Sequence, residues 1–511
     1  MMPWRQDVAS VIPHAREFQF QGNRMLMVPN GQTEARVCRN LGVPVPAPIL
    51  TRYDWRGSKP WDIQRTTAAM LTEQSRAYVL NTMGTGKTRS VLYAIDYLML
   101  SGAVTGPALV TAPLSTLTPV WEAEAFRVLP QRRVRVLHGT REKRLKLLRE
   151  KADIYVINHH GLMLLKKELI CKGFSIFCID ELAVLRNKQT DLWRAAFAIE
   201  QSPSVAKGYA WGLTGSPTPH SPTDAWAQIK LLTPSNTTRT FGQFSDQTMR
   251  RITQFKFEAR EDANAVVHRA MQPAVRFTIQ DVMELPPTVY LDKIIKLEPQ
   301  ALSAYKMLFG KARMNTGDGR SITAVNEGVL HNKLLQVACG YIYTDTSTIY
   351  ELPHQSRLDA LLETVEEADG KFIVFCPYTH ALNGVAGFLR GKNYNIATIS
   401  GTTSRGQRDR TFTSFQDDPV AIQGIVAHPG TMAHGLTLTA ADTIIWYGPI
   451  QSLETYDQAN HRIIRPSQTK KTRIVHLFGT GVERVTYARL KARAKMQGAL
   501  LDLFHKQDIE F

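Results

Sequence analysis

The stretch Asn81-Thr-Met-Gly-Thr-Gly-Lys-Thr88 constrains this chain more than any other. It follows a short apolar run, Ala77–Leu80, and opens Thr88–Leu100, whose apolar residues recur with the period of a helix. Strand, glycine-bearing loop and helix, in that order, make a phosphate-binding loop. Gly84 and Gly86, on either side of Thr85, let backbone N–H groups turn toward phosphate oxygens, and the helix N-terminus adds a favourable dipole. Lys87 is placed to reach the β and γ phosphates of ATP, and the Thr88 hydroxyl to ligate Mg²⁺. The loop opens with Asn81 rather than Gly or Ala, so its context carries the assignment.

A loop of this kind belongs to a parallel sheet, and the chain supplies one. Ala77–Asn81, Ala108–Ala112, Ile154–Asn158, Phe174–Ile179 and Ala210–Thr214 are short runs, apolar throughout rather than alternating, as strands covered on both faces must be. Helix-length segments separate them, giving a doubly wound α/β lobe over residues 51–234. The rhythm returns in residues 351–511 with Phe372–Cys376, Asn395–Ile399, Gly424–Ala427, Thr443–Trp446 and Arg473–Leu477. The expected fold is therefore two RecA-like lobes with parallel sheets. Residues 235–350 read as a largely helical insertion, with helices at Ser245–Phe257, Asp262–Met271, Pro299–Ala312 and Val325–Ala338 and a loop at Asn315-Thr-Gly-Asp-Gly319. Residues 1–50 form a small accessory module, with Pro44, Pro46 and Pro48 as its linker.

Downstream of the loop, the run Phe174–Ile179 ends in Asp180-Glu181. A carboxylate at the end of a buried strand beside a phosphate loop is where Mg²⁺ needs its second anchor, a role for Asp180. Glu181 is placed to orient or deprotonate the attacking water. In Leu213-Thr-Gly-Ser-Pro217, the Thr214 and Ser216 hydroxyls are candidates to couple this pair to movement elsewhere; an ordinary Gly-Ser-Pro turn is the simpler account. In the second lobe Gln458, Arg462 and Arg465 stand at i, i+4 and i+7, sharing one helix face, and Pro466 biases the chain out of helix. Two guanidinium groups there suit stabilisation of charge on a transferred phosphoryl group.

Composition narrows the class. The 511 residues exceed one ordinary core, and 43% hydrophobic with 21% charged residues describes a globular protein. No apolar run is long enough to span a bilayer, and Met1–Gly22 lacks a signal-peptide core. Cys38, Cys171, Cys178, Cys339 and Cys376 show no metal-ligand spacing, and Cys178 and Cys376 read as small core residues. A reducing compartment such as the cytosol follows, with the nucleus left open; a bacterial or virus-infected cell is the expected setting once the compact size is set beside the family resemblance given below. The net charge of +17 makes a polyanion the natural partner.

Together these segments resemble superfamily-two helicases and, within them, the Swi/Snf-like ATPases, from about Trp61 to the end of the chain. Gln64 falls where that family reads adenine; Met83–Thr88 is similar to motif I, Asp180–Ala183 with Arg186-Asn187-Lys188 to motif II and its basic follower, and Leu213–Pro217 to motif III. Leu109–Ser115 with Trp121 resembles the segment that contacts the nucleic-acid backbone, which implies DNA contacts for Thr111 and Pro113. Ile399–Thr403 with Arg408 and Phe412 resembles the segment after motif IV, Gly435–Leu438 motif V, and Gln458 to Arg465 motif VI, with Gln458 on the nucleotide. The resemblance implies DNA contacts for Ser400, Gly401, Gly435 and Thr437. Leu334-Leu-Gln336 and Gly481-Val-Glu-Arg484 favour the Swi/Snf branch. Ala183 stands where relatives carry His, and Pro466-Ser467-Gln468 replaces the usual glycine before the glutamine. Residues 1–50 with Thr51–Trp55 resemble the compact fork-remodelling branch, where such a module helps recognise branched DNA.

The resemblance implies an ATP-dependent translocase or helicase on duplex, forked or four-way DNA, in replication, recombination or repair. Alternatives are a remodeller that displaces DNA-bound proteins without strand separation, an RNA helicase, and a non-catalytic DNA-binding scaffold. Arg132–Lys151 and Arg484–Lys495 are dense in basic residues; solvated helix faces account for most of them singly, and a phosphate-tracking flank accounts for them collectively.

Overall fold

The computed structural model describes residues 1–253, 256–314, 324–343, 349–432 and 437–505. The predicted loop Asn315–Gly319 and Gly435 lie outside the described residues. The chain forms two compact units, Met1–Val282 with Gln497–Phe511, and Met283–Met496.

The first unit opens with a three-stranded antiparallel sheet of β1 (Met2–Pro3), β2 (Arg16–Phe20) and β3 (Asn23–Met27), closed over its own small core of Val8, Ile12, Leu26, Cys38 and Val43. Pro48 then starts a short helix to Arg52 whose Ile49 is buried in the larger core. The main sheet contains β4 (Arg76–Val79), β5 (Ala108–Ala112), β6 (Val134–Leu137), β7 (Ile154–Asn158), β8 (Ile176–Asp180) and β9 (Tyr209–Leu213). After a hairpin of β10 (Met249–Arg251) and β11 (Phe257–Ala259), β12 (Ala274–Val275) completes it. Its order is β12-β4-β9-β8-β5-β7-β6, all parallel. Ala108–Ala112 is buried at every position, which is why it carries no polar alternation.

The second unit repeats the principle. β13 (Thr288–Ile294), a hairpin of β14 (Tyr341–Tyr343) and β15 (Ile349–Glu351), β16 (Lys371–Phe375), β17 (Ile396–Ile399), β18 (Gly424–Ala427), β19 (Ala441–Trp446) and β20 (Thr472–Phe478) follow in sequence. Its six-stranded parallel sheet runs β13-β20-β19-β16-β18-β17. The helix Gly481–His505 closes the described chain, and its last turns place Leu500, Leu501 and Phe504 in the first unit's core.

Several expectations are corrected. The helix expected at Ser245–Phe257 is instead Phe241–Thr248, started by Thr240 accepting from the Gln243 N–H, and the chain then turns into the β10–β11 hairpin. Two strands lack the continuous buried apolar run of the inner strands because they are sheet edges: β6 lies inside an arginine-rich stretch, and β13 has only half-buried and exposed residues while pairing over its whole length with β20. Of residues 235–350, those up to Val282 belong to the first unit and those from Met283 to the second.

Candidate nucleotide-binding site

In the first sheet Leu213 of β9 is registered with Val79 of β4 on one side and Asp180 of β8 on the other. The phosphate loop and the acidic pair therefore leave the same carboxyl edge, two strand spacings or about 10 Å apart. The carboxyl edge is where parallel α/β sheets hold ligands.

The loop's conformation depends on its glycines. Gly84 and Gly86 have φ of +86° and +79°, and Gly86 caps the helix Lys87–Leu100 in the left-handed region. A Cβ on Gly86 would also meet Gln64 Nε2 at 2.2 Å. Gln64 is buried; its amide donates to Thr85 O at 3.1 Å, and its Oε1 accepts the Trp61 N–H at 3.2 Å. It thus buttresses the loop from the start of the helix Asp62–Glu73. Lys87 Nζ donates to the carbonyls of Asn81 at 2.8 Å and Thr82 at 3.3 Å, folding its ammonium over the loop. Thr88 takes the second position of the helix. Asn81, the departure from pattern, is a structural tie: its Nδ2 donates to Thr67 Oγ1 at 3.0 Å, and its Oδ1 accepts the Phe277 N–H at 2.9 Å. Gly or Ala would provide neither bond. Arg276, whose importance no local motif announces, donates to Leu80 O from a buried position, and burial pushes its guanidinium down to about 10.

Asp180 ends β8, and its Oδ2 accepts Trp121 Nε1–H at 2.9 Å. Burial pushes its carboxyl above the usual range, against the Trp121 N–H and the Lys87 ammonium, which pull it down. A carboxylate disfavoured by burial and set near a lysine on the phosphate-loop edge fits a cation, so Asp180 and Thr88 are the residues that would hold Mg²⁺. When bound, the ion neutralises charge on the phosphate oxygens. Glu181 follows in the left-handed region, φ +56° and ψ +57°, unusual for a residue with a Cβ. That twist separates it from Asp180 at the strand end and costs about 1–3 kcal/mol. His159, not singled out by the sequence, has Nε2 2.7 Å from Asp180 O. Burial lowers its pKa to about 4, so the ring is neutral and the nitrogen facing that carbonyl carries the proton. Thr214 and Ser216, both buried, form the turn after β9, with the Ser216 N–H donating to Thr214 Oγ1 at 3.1 Å. Ala183 is buried. Lys188 lies over the rings of Trp193 and Trp226 at 5.4 and 5.3 Å.

In the second unit the helix Leu453–Asn460 stops short of the arginines, so Gln458, Arg462 and Arg465 do not share a helix face. Asn460 accepts Trp446 Nε1–H at 3.0 Å, the His461 N–H closes the last turn on Asp457 O, and Arg462 O accepts the Leu438 N–H at 2.9 Å. The arginines therefore sit in a turn, ahead of Pro466. Gln458 is buried, with Nε2 donating to Glu454 Oε1 at 3.4 Å. Arg462 is 1% exposed, and burial pushes the half-buried Arg465 down to about 10. Tyr456, on the same helix, meets His476 Nε2 at 2.7 Å, and His476 Nδ1 meets Asp292 Oδ1 at 2.9 Å, tying the helix to β20 and β13.

The residues expected on DNA are placed unequally. Thr111 and Pro113 are buried in and just after β5, so they present no surface there. Ser400 is half-buried and Gly401 exposed in the turn after β17, held by the Ser400 N–H donating to Thr403 Oγ1 at 3.0 Å; Thr437 is exposed. In the basic stretch, Arg132 pairs with Asp96 at 2.6 Å, Arg135 with Glu150 at 2.6 Å and Arg141 with Glu168, while Arg144 is buried on Asn158. Arg133, Lys143, Lys146 and Arg149 are exposed. Among the described residues no helix is long and apolar enough to cross a membrane, and no cluster of three or more His, Cys, Asp or Glu is placed to hold a metal.

Two parallel-sheet units, the first with a glycine-bearing loop and an acidic pair on one carboxyl edge, make this a RecA-like α/β protein. Residues 68–339 match the SNF2-related domain, and residues 355–467 match the helicase conserved C-terminal domain. The chain belongs to the SNF2-related family, whose members are helicase-like, DNA-dependent ATPases. It is 25% identical over 461 residues to putative protein p41 of Acyrthosiphon pisum secondary endosymbiont phage 1, covering 86% of this chain and 96% of that one. It is 23% identical over 449 residues to the ISWI chromatin-remodeling complex ATPase ISW1 of Saccharomyces cerevisiae, covering 82% of this chain but 38% of the yeast protein. Among solved structures, the Sulfolobus solfataricus SWI2/SNF2 ATPase core in complex with dsDNA aligns over 88% of this chain and 96% of its own, at 20% identity and a TM-score of 0.41.

Proposed function

We propose that this chain is an ATP-driven translocase on duplex or branched DNA, acting in replication, recombination or repair. The observation that carries the reading is the common carboxyl edge of Lys87 and Thr88 with Asp180 and Glu181. There, Lys87 and the loop N–H groups hold the phosphates, Asp180 and Thr88 hold Mg²⁺, and Glu181 orients the attacking water. Arg462 and Arg465 stabilise the charge that develops on the transferred phosphoryl group, and Gln64 and Gln458 contact the nucleotide. Thr214 and Ser216 couple hydrolysis to movement, and Ser400, Gly401, Gly435 and Thr437 contact the DNA backbone. Residues 1–50 are an accessory module and residues 235–350 the family's insertion. The near full-length match to a phage protein supports a setting in a bacterial or virus-infected cell. ATPase rates measured without nucleic acid and with single-stranded, duplex, forked and four-way DNA test this. Strong stimulation by duplex or branched DNA is expected, and equal rates throughout would sink it.

The match to a chromatin-remodeling ATPase favours a second reading, protein displacement without strand separation. Protein-displacement and strand-displacement assays run side by side separate the two.

A further inference from the structure

In the second unit His331, Gln451, Thr486, Arg489 and Arg493 line a recess of about 300 Å³ that includes none of Ser400, Thr437, Gln458, Arg462 or Arg465. We propose that this recess binds a phosphate-type oxyanion, either a free one or a single phosphate of a DNA backbone.

Its lining carries no Asp or Glu. Arg489 and Arg493 stand at i and i+4 on the helix Gly481–His505, so their guanidinium groups share one face. Like charges at that spacing repel, and a bound anion reverses the sign of that interaction. Arg493 is already oriented: its Nη1 donates to Gln451 O at 3.1 Å, leaving its other donors for a ligand. Arg489 has no carboxylate within ion-pair distance among the described residues.

The far wall carries a third cation in waiting. Thr486 Oγ1 donates its one proton to Val482 O at 2.8 Å, so its 3.2 Å contact with His331 Nε2 is donated by the imidazole. The neutral ring therefore holds its proton on Nε2, and Nδ1 is the nitrogen that titrates. Burial and the neighbouring Arg489 keep that pKa low. The charged groups facing His331 across the recess are Arg489 and Arg493, so an oxyanion favours the imidazolium, and affinity rises as pH falls.

The test uses the full chain with its nucleotide site saturated by a non-hydrolysable ATP analogue. Sulfate is the probe, because it neither titrates between about pH 5 and 8 nor sequesters Mg²⁺. Calorimetric titration is expected to show sulfate binding that weakens at least tenfold in the Arg489→Gln/Arg493→Gln double variant. It is also expected to strengthen from pH 7.5 to 5.5 in the parent but not in His331→Gln. In parallel, duplex binding is measured against salt. A salt slope reduced by about one in the double variant assigns the site to a backbone phosphate; an unchanged slope with lost sulfate binding assigns it to a free anion. If neither sulfate affinity nor salt slope changes, the proposal is overturned. Should the double variant not fold, Arg489→Lys/Arg493→Lys keeps the charge, loses the planar fork and should still weaken sulfate binding. The proposal does not rest on the translocase reading, since ATPase activity indifferent to DNA would leave the sulfate result standing.

Discussion

The two units position their proposed site residues on parallel sheets by opposite means. In the first, proposed site residues follow a strand end through a left-handed backbone position: Gly86 at φ +79° before Lys87, and Glu181 at φ +56° just past Asp180. In the second, Arg462 and Arg465 occupy a turn beyond the helix Leu453–Asn460, and Arg462 is 1% exposed. Position comes from backbone conformation in the first case and from packing in the second. Function and stability should therefore separate in the first unit and fall together in the second.

The largest effect tests that contrast directly. Arg462→Ala should lower ATP turnover by about 10³-fold, the lower end of what a transition-state arginine supplies. It should also lower the melting temperature by several degrees, since it empties a buried site. Lys87→Ala should cost on the order of 10²-fold in turnover with a smaller loss of melting temperature, because Lys87 is half-buried where Arg462 is 1% exposed. Steady-state ATPase assays with calorimetric melting decide it; a larger loss of melting temperature in Lys87→Ala would break the comparison. Next in size, Glu181→Gly should abolish most turnover and be about 1 kcal/mol more stable than Glu181→Ala, because glycine accepts the left-handed backbone without strain. A glycine variant no more stable than the alanine variant would show that the turn stores no strain.

Gly86→Ala separates two reasons for one glycine. The left-handed φ costs about 1–2 kcal/mol for any L side chain, and the new Cβ collides with Gln64 Nε2. Adding Gln64→Ala should restore part of the lost melting temperature and none of the backbone cost; melting is the readout because Gln64 is itself proposed to contact the nucleotide. Full restoration by the second change would place the whole effect in the collision.

This contrast also explains what was legible in the sequence. Strand-end turns have a local grammar of an apolar run, a glycine or an acidic pair, then a helix, so the phosphate loop and Asp180-Glu181 could be read from their neighbours. Both sheets could be read as well, because Ala108–Ala112 and Gly424–Ala427 are buried at every position and look it. Edge strands β6 and β13 face solvent on one side and lose that mark. The i, i+4, i+7 spacing of Gln458, Arg462 and Arg465 suggested a helix that Asn460 ends by turning to Trp446, a contact set by tertiary packing. His159, Arg276 and the bonds of Asn81 lay outside local pattern for the same reason: their partners are distant in sequence.

The smallest predicted effect gives one buried group in each unit the opposite pH slope. Burial depresses His159 in the first unit to about 4, below the ordinary histidine value near 6.5. Its contribution is fully present above about pH 6.5 and is lost as pH falls toward 4, since the unfolded chain then binds the extra proton. Asp457 in the second unit is raised by burial to about 7. Its contribution is present below about pH 4 and is lost as pH rises through 7, since the unfolded chain ionises first. Each slope is at most about 1.4 kcal/mol per pH unit. The raised Asp180 carboxyl partly offsets the first, and the depressed His331, His428 and His476 imidazoles partly offset the second. Denaturant midpoints between pH 4 and 7 should therefore flatten on the acid side in His159→Asn and on the neutral side in Asp457→Asn. If both variants change the profile in the same direction, the electrostatic part of the comparison fails, while its account of strand-end turns and buried arginines stands on the kinetic tests.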